Sequence, residues 1–117
     1  VISGGYDLPN KYVIHTVGPV YSNSADDPVL LRSCYLSSLR LADGQNIASI
    51  SFPALSTGIF GYPVDQAACV AITTIQEYLL GATGIETVRM VLYDEAAFQA
   101  HLAALDALKC RWESGLI

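Results

Sequence analysis

Residues able to bind an anion are concentrated in one short segment, Ser56–Gly61, which reads STGIFG. Its two glycines leave room for a ligand beside the backbone and permit positive φ angles. Successive N–H groups could then point into one concavity, next to the positive end of the following helix. Ser56 and Thr57 would add hydroxyl donors, and Phe60 and Tyr62 would offer flat faces to a ribose or base. The same glycines could equally serve only a tight turn, because an isolated glycine pattern is weak evidence.

Composition and charge narrow the classes of partner. The net charge is −5, and the six basic residues are scattered among the 117 residues without forming a stripe. We therefore expect no DNA or RNA partner, since nucleic-acid binding depends on clustered positive charge. A small phosphate compound is compatible with an acidic chain when backbone N–H groups bind it. Charged residues make up only 15% and hydrophobic residues 52%, which favours a homo-oligomer that covers part of the apolar surface.

The cysteines and histidines form no evident catalytic or metal-binding set. Cys34, Cys69 and Cys110 are too far apart for a disulfide framework or a zinc site, and we interpret them as thiols of a cytoplasmic protein. No signal peptide or membrane-length apolar run is visible. His15 within a strand pattern and His101 beside an apolar helix stripe are both interpreted as packing residues. We predict no metal and no cofactor, and the catalytic residues are unknown.

Strand and helix patterns alternate along the chain. The helix patterns run from Asp26 to about Asp43, from the end of Ser56–Gly61 (the glycine turn) to Gly81, and onward from Asp94. The aspartates at the beginnings of these patterns are interpreted as helix-start residues. Short β-branched or apolar segments predict the strands Tyr12–Val17, Ile47–Leu55 and Thr87–Tyr93, and Val1–Tyr6 allows a further short one.

This order predicts an α/β fold in three layers, α/β/α, with a mostly parallel mixed sheet covered on both faces. Ligands of such sheets bind beyond the carboxyl ends of the strands. The glycine turn, Gly18-Pro19 and Tyr93-Asp94 all follow strands at that edge. An anion bound by Ser56–Gly61 would therefore lie at the edge of the sheet where ligands of such folds bind.

Three blocks of the sequence resemble the macro domain, the ADP-ribose-binding family. ALSTGIFGYP, followed by an alanine-rich helix, resembles the family's second phosphate-binding loop. GYDLPNKYVIHTVGPVY looks like the strand and glycine-proline turn before its middle helix, and VRMVLYDEAAFQAHLAAL is similar to its last strand and helix. The blocks occur in the family's order and cover nearly the whole chain. Residues 1–117 are therefore interpreted as a single, truncated macro-domain-like domain.

The resemblance implies a pocket for ADP-ribose or a related nucleotide diphosphate. Backbone amides of the loop would hold the diphosphate, Phe60 would pack near the distal ribose, and Tyr93 or Asp94 would flank the adenine. The loop residues carried over from the family are Ser56, Thr57, Gly58, Ile59, Phe60 and Gly61. A soluble binding module with no membrane partner follows as the first functional hypothesis.

The resemblance also implies that an N-terminal portion of the family is missing. In the family this portion contains a glycine-rich loop with the catalytic residues of hydrolytic members, and a strand that lies centrally in the sheet. That strand would lie between the strands containing His15 and Ile50, so either those two strands pair directly or another chain covers them. Hydrolysis of ADP-ribosyl or O-acetyl-ADP-ribose esters is one alternative function. A non-binding remnant whose role is homo-oligomeric assembly is the other.

Overall fold

The computed structural model describes residues 2–4, 12–14, 16, 18–55 and 61–113. Within these ranges strands and helices alternate from Asp26 onward, which confirms the predicted α/β class, and the strands at 49–52 and 87–90 are shorter than the predicted Ile47–Leu55 and Thr87–Tyr93. The elements are β1 (Ile2–Gly4), β2 (Tyr12–Ile14), α1 (Asp26–Gly44), β3 (Ser49–Phe52), α2 (Val64–Leu79), β4 (Thr87–Met90) and α3 (Glu95–Glu113). None of the helices in the described part is both long and apolar enough to span a membrane.

The four strands form two separate pairs. β1 and β2 are antiparallel, with Ile2 opposite Ile14. β3 and β4 are parallel, with Ser49 opposite Thr87. Among the described residues no hydrogen-bonded ladder joins β2 to β3. Direct pairing of the strands on either side of the missing central strand, one of the two alternatives above, is therefore not what these residues adopt.

The core lies against one face of the β3–β4 pair. Phe52 is buried, and Ile50 packs against the same cluster of buried side chains. The rings of Tyr35 and Phe52 meet edge to face with centroids 5.1 Å apart. The opposite face of this pair exposes Ser49, Ser51, Thr87 and Arg89. The helices supply most of the core through Leu31, Tyr35, Leu39 and Ala42 of α1 and Ala67, Ala71 and Ile75 of α2.

The helix faces agree with the predicted apolar stripes only in part. In α1, helical spacing places Leu30 on one apolar stripe with Leu31 and Ala42 and so predicts that it packs, but Leu30 is half exposed, whereas Ser38 and Leu39 are fully buried. Asp26 was expected as the N-cap, but it is the first helical residue, and its N–H donates to Ser24 Oγ at 3.1 Å. The spacing of apolar residues does not show which other elements each turn of a helix will contact. Tertiary packing therefore decided which of these side chains are buried.

The apolar stripe of α3 lines an open groove. Phe98 is 49% exposed and Leu102 is 41% exposed, and they face α2 and β4 across a groove of about 620 Å³. The predicted packing role of His101 agrees with its burial. Its Nδ1 lies 2.8 Å from the Ala97 carbonyl oxygen. Since a carbonyl oxygen only accepts, Nδ1 carries the hydrogen.

The carboxylate of Asp43 joins three parts of the fold near the end of α1. It accepts hydrogen bonds from the Tyr78 hydroxyl of α2, from Thr83 Oγ1 at 2.6 Å and from the Gly84 N–H at 3.0 Å. The hydrogen bonds from Thr83 and Tyr78 lower the pKa of Asp43 below its ordinary value of 3.8, against the opposing effect of desolvation. The ionised carboxylate therefore fixes the connection from α2 to β4.

We predict that Asp43→Asn lowers the thermal unfolding midpoint at neutral pH by on the order of 5 °C, because an amide offers one acceptor oxygen to three donors. The pKa of Asp43 is lowered by folding, so its contribution is complete above pH 3.8 and is lost as the pH falls through the lower, folded-state value. Thermal melts over decreasing pH should therefore show a shallower acid decline for the variant. Asp106→Asn, at an exposed position of α3, is the control and should melt like the parent protein.

Candidate functional site

The start of the glycine turn is held by a buried tyrosine of α1. The Leu55 N–H donates to the Tyr35 hydroxyl oxygen at 3.4 Å. Burial raises the pKa of Tyr35 to about 12, outweighing the hydrogen bond from Leu55, so the phenol stays neutral. Leu55 is the last described residue before the turn. The carboxyl end of β3 thus reaches the turn from a fixed point on the core.

The end of the turn is held by a second aromatic contact. Gly61 has a φ of +74°, a conformation that side chains other than glycine's rarely adopt. The next residue, Tyr62, is only 3% exposed, and its ring lies 5.0 Å from that of Tyr21, centroid to centroid. Burial is the main cause that raises the pKa of Tyr62, and the charge of Asp27 adds to it. Tyr62 therefore packs and does not offer its face to a ligand as the sequence suggested.

Asp27 holds the neighbouring loop through a buried carboxylate. It is 2% exposed and accepts hydrogen bonds from the Ser22 N–H at 3.1 Å, the Ser22 hydroxyl at 2.9 Å and the Ser24 N–H at 2.9 Å. The backbone hydrogen bond from Ser24 is the largest cause that lowers the pKa of Asp27, and desolvation opposes it. The ionised group keeps the loop before α1, and with it Tyr21, against the end of the glycine turn.

The N-terminus of α2 directly follows this turn. Pro63 occupies the N-cap position, and no side chain in the described part of the chain makes a capping hydrogen bond there. The first N–H groups of an α-helix have no partner within the helix, and the helix dipole makes this end positive. Asp65 lies in the first turn and is exposed. The end of α2 can accept an anion from the direction of the glycine turn.

Of the predicted site residues, the structure describes Gly61, Tyr93 and Asp94. Ser56, Thr57, Gly58, Ile59 and Phe60 lie outside the described residues, and Gly61 lies at the turn's end beside Tyr62. Beyond β4, Tyr93 is 90% exposed, and the Ala97 N–H donates to Asp94 Oδ1 at 2.7 Å. Asp94 therefore caps α3, as its position in the sequence indicated.

Sequence reasoning missed the contact of Tyr21 with Tyr62 and the supporting carboxylate of Asp27. Asp27 had been interpreted as a helix-start residue. Nothing in the sequence around Tyr21 indicated this contact, because Tyr21 and Tyr62 are far apart in the chain and meet only in the folded structure. Within the described part of the chain, no group of histidine, cysteine, aspartate and glutamate side chains could hold a metal ion.

The fold is that of a macro domain. The family model of the Macro domain matches residues 1–71, and the chain belongs to this family. A macro domain-containing protein of Chlorobaculum tepidum is 46% identical over 107 residues, which are 91% of this chain and 62% of that protein. The chain thus spans about three fifths of the length of this curated relative.

Solved structures agree with this family membership. The Oceanobacillus iheyensis macrodomain with ADP has a TM-score of 0.89 and 36% identity, and covers 95% of this chain and 58% of that one. The Trypanosoma brucei macrodomain in complex with ADP-ribose has a TM-score of 0.81 and 32% identity, over 89% of this chain and 44% of that one. The macro-domain resemblance stated from the sequence is confirmed.

We predict that Gly61→Ala destabilises the protein by about 1 kcal/mol, because its φ of +74° is strained for any residue with a Cβ. A Cβ at Gly61 would meet no atom within 4 Å, so the cost is conformational and not steric. Gly44→Ala is the matched control, since Gly44 also has open space but ends helix α1. Its unfolding free energy in urea should be unchanged or higher. Equal losses in both variants would contradict the assignment of strain to Gly61.

Proposed function

We propose that the chain binds ADP-ribose or a related nucleotide diphosphate through the glycine turn Ser56–Gly61. The observation that supports the proposal is that both flanks of this segment are held, Leu55 by its hydrogen bond to Tyr35 and Tyr62 by its ring contact with Tyr21, immediately before the N-terminus of α2. Macrodomains of similar fold from O. iheyensis and T. brucei are known with ADP and with ADP-ribose. This family relation favours a nucleotide over an unrelated anion.

The binding chemistry needs no basic side chain. A diphosphate beside α2 would receive hydrogen bonds from the turn's N–H groups and from the first amides of the helix, with the helix dipole adding attraction. The glycines let the phosphate oxygens come close to the backbone. An acidic chain with a net charge of −5 can bind a dianion in this way, because the donors are local and preoriented.

The adenine is proposed to lie near the end of β4. Tyr93 presents almost its whole side chain to solvent, and an exposed ring has a free face for stacking. The Asp94 carboxylate caps α3 by accepting a hydrogen bond from the Ala97 N–H. We propose Tyr93 as the stacking residue and Asp94 as the residue that positions this loop.

The remaining expectations from the sequence stay predictions. These are the single domain over residues 1–117, the cytoplasmic location and the homo-oligomer. The half-exposed leucines and Phe98 along α3 support association of some kind. No contact among the described residues favours hydrolysis of ADP-ribosyl or O-acetyl-ADP-ribose esters over simple binding.

The proposal is tested by isothermal titration of the chain with ADP-ribose. We expect saturable binding with a micromolar dissociation constant, on the order of −8 kcal/mol, and loss of binding in Gly58→Val, whose side chain would occupy the space needed beside the backbone. Circular dichroism must show that the variant is folded. A folded parent chain that binds no ADP-ribose at millimolar concentration would contradict the proposal and favour the non-binding remnant.

The stacking role is tested separately at Tyr93. Tyr93→Ala should weaken ADP-ribose binding about tenfold, since base stacking on an aromatic ring contributes roughly 1–3 kcal/mol. Tyr93→Phe keeps the ring and is the matched control, with binding close to that of the parent. Tyr93 is exposed, so neither change should alter the thermal midpoint appreciably. Equal affinity of all three proteins would exclude Tyr93 from the adenine site.

A further inference from the structure

The loop at 18–25, which leads into α1, is ordered by hydrogen bonds to a single buried carboxylate. Asp27 accepts two hydrogen bonds from Ser22 and one from the Ser24 N–H. In return, the Asp27 N–H donates to the Ser24 carbonyl oxygen at 3.2 Å. The Tyr21 hydroxyl donates to Asn23 Oδ1 at 2.9 Å. The residues from Tyr21 to Ser24 therefore form one hydrogen-bonded unit that depends on Asp27.

This loop contacts the segment before α2 through two aromatic rings. Tyr21 is half-buried and packs against the core cluster to which Tyr62 belongs, and the planes of the two rings are tilted by 54°. Tyr21 directly precedes Ser22, which supplies two of the three hydrogen bonds to Asp27. The position of the Tyr21 ring against Tyr62 therefore follows from the hydrogen bonds to Asp27.

Tyr62 is joined to the start of α2 by a stiff stretch of backbone. Pro63 follows it with a φ of −57°, an angle that the proline ring fixes, and a residue before proline is confined to extended conformations. The Ala67 N–H donates to the Pro63 carbonyl oxygen at 2.9 Å, which closes the first turn of α2. A displacement of Tyr62 would therefore move the first N–H groups of α2.

Asp26 and Asp27 are neighbours in the first turn of α1 but have different environments. Either carboxylate would interact favourably with the positive end of the α1 dipole, and an exposed group such as Asp26 is sufficient for that effect. Burying a carboxylate costs free energy unless hydrogen bonds compensate, and all the donors that bind the Asp27 carboxylate belong to the loop. Asp27 therefore serves the loop and its contact with Tyr62, beyond any effect on the helix.

We propose that Asp27 is a positioning residue for anion binding at the start of α2. It holds Tyr21 against Tyr62 and thereby fixes Pro63 and the first N–H groups of the helix before a ligand arrives. Asp27 does not touch the ligand, and its effect passes through the two tyrosines. The role rests on the nucleotide binding proposed above, and it assigns part of the affinity to a carboxylate that carries the same sign of charge as the ligand.

The first test compares the ADP-ribose affinities of the parent chain, Asp27→Asn and Asp26→Asn by isothermal titration. Asp27→Asn should bind about tenfold more weakly, because the apparent affinity falls with the fraction of molecules in the binding-competent conformation. Asp26→Asn removes the same charge from the same helix end and should bind like the parent. Equal affinities of Asp27→Asn and the parent would overturn the positioning role. A parent chain that binds no ADP-ribose would instead overturn the proposed function.

The second test needs no ligand, so it decides the positioning role even if ADP-ribose does not bind. In Asp27→Asn, hydrogen exchange at the Ala67 amide should be roughly fivefold faster or more, because the first turn of α2 opens more often. The Phe98 N–H, which donates to the Asp94 carbonyl oxygen at the start of α3, is the control amide and should be unchanged. Unchanged exchange at Ala67, or equal acceleration at both amides, would contradict the role.

A double-mutant cycle separates the route through Tyr21 from a general loss of stability. Tyr21→Ala removes the ring contact with Tyr62, so adding Asp27→Asn to it should weaken ADP-ribose binding no further. Affinity losses that multiply in the double variant would show that Asp27 acts by another route and would overturn the proposal. Should Asp27→Asn fail to fold, Ser22→Ala removes one hydroxyl donor to Asp27 and should weaken binding about threefold. A folded Ser22→Ala with the parent's affinity would equally contradict the role.

Discussion

The packing of α1 and α2 against the inner face of β3 is the interaction on which the rest of the structure depends. Phe52 is buried against Tyr35, and the same tyrosine accepts the hydrogen bond from the Leu55 N–H. One aromatic residue of α1 therefore both seals the core and fixes the point where the glycine turn begins. Among the described residues, β3 is held on this face and on its β4 edge, while Ser49 and Ser51 are exposed.

Loops without regular structure are kept in place by buried polar contacts. Asp27 and Asp43 each accept three hydrogen bonds from loop or helix donors, and those hydrogen bonds lower the pKa of each carboxyl group. A buried ionised carboxylate is tolerated because its partners replace the lost water. Asp27 supports the loop that carries Tyr21 to the end of the glycine turn, and Asp43 supports the connection to β4. Asp27 therefore supports the candidate site, and Asp43 stabilises the connection from α2 to β4.

Two surfaces of the chain have distinct physical characters. The N-terminus of α2 presents backbone N–H groups and the positive end of the helix dipole, which suit an anion. The groove beside β3, of about 760 Å³, is lined by Tyr12 and Ile14 of β2 and by Ser49–Phe52 of β3. The macro-domain relatives carry chain beyond the matched region.

The sequence by itself determined the element order, the helix bounds to within a few residues, the glycine turn at the end of β3 and the macro-domain family. These features depend on local patterns: periodicity, glycine and proline positions, and contiguous motifs. The tertiary structure alone decided that Leu30 is exposed while Ser38 is buried, that Tyr62 packs on Tyr21, and that Asp27 is a loop anchor. It also decided that, among the described residues, no ladder joins β2 to β3. These outcomes depend on contacts between segments distant in sequence, and periodicity within one segment carries no information about the partner it will meet.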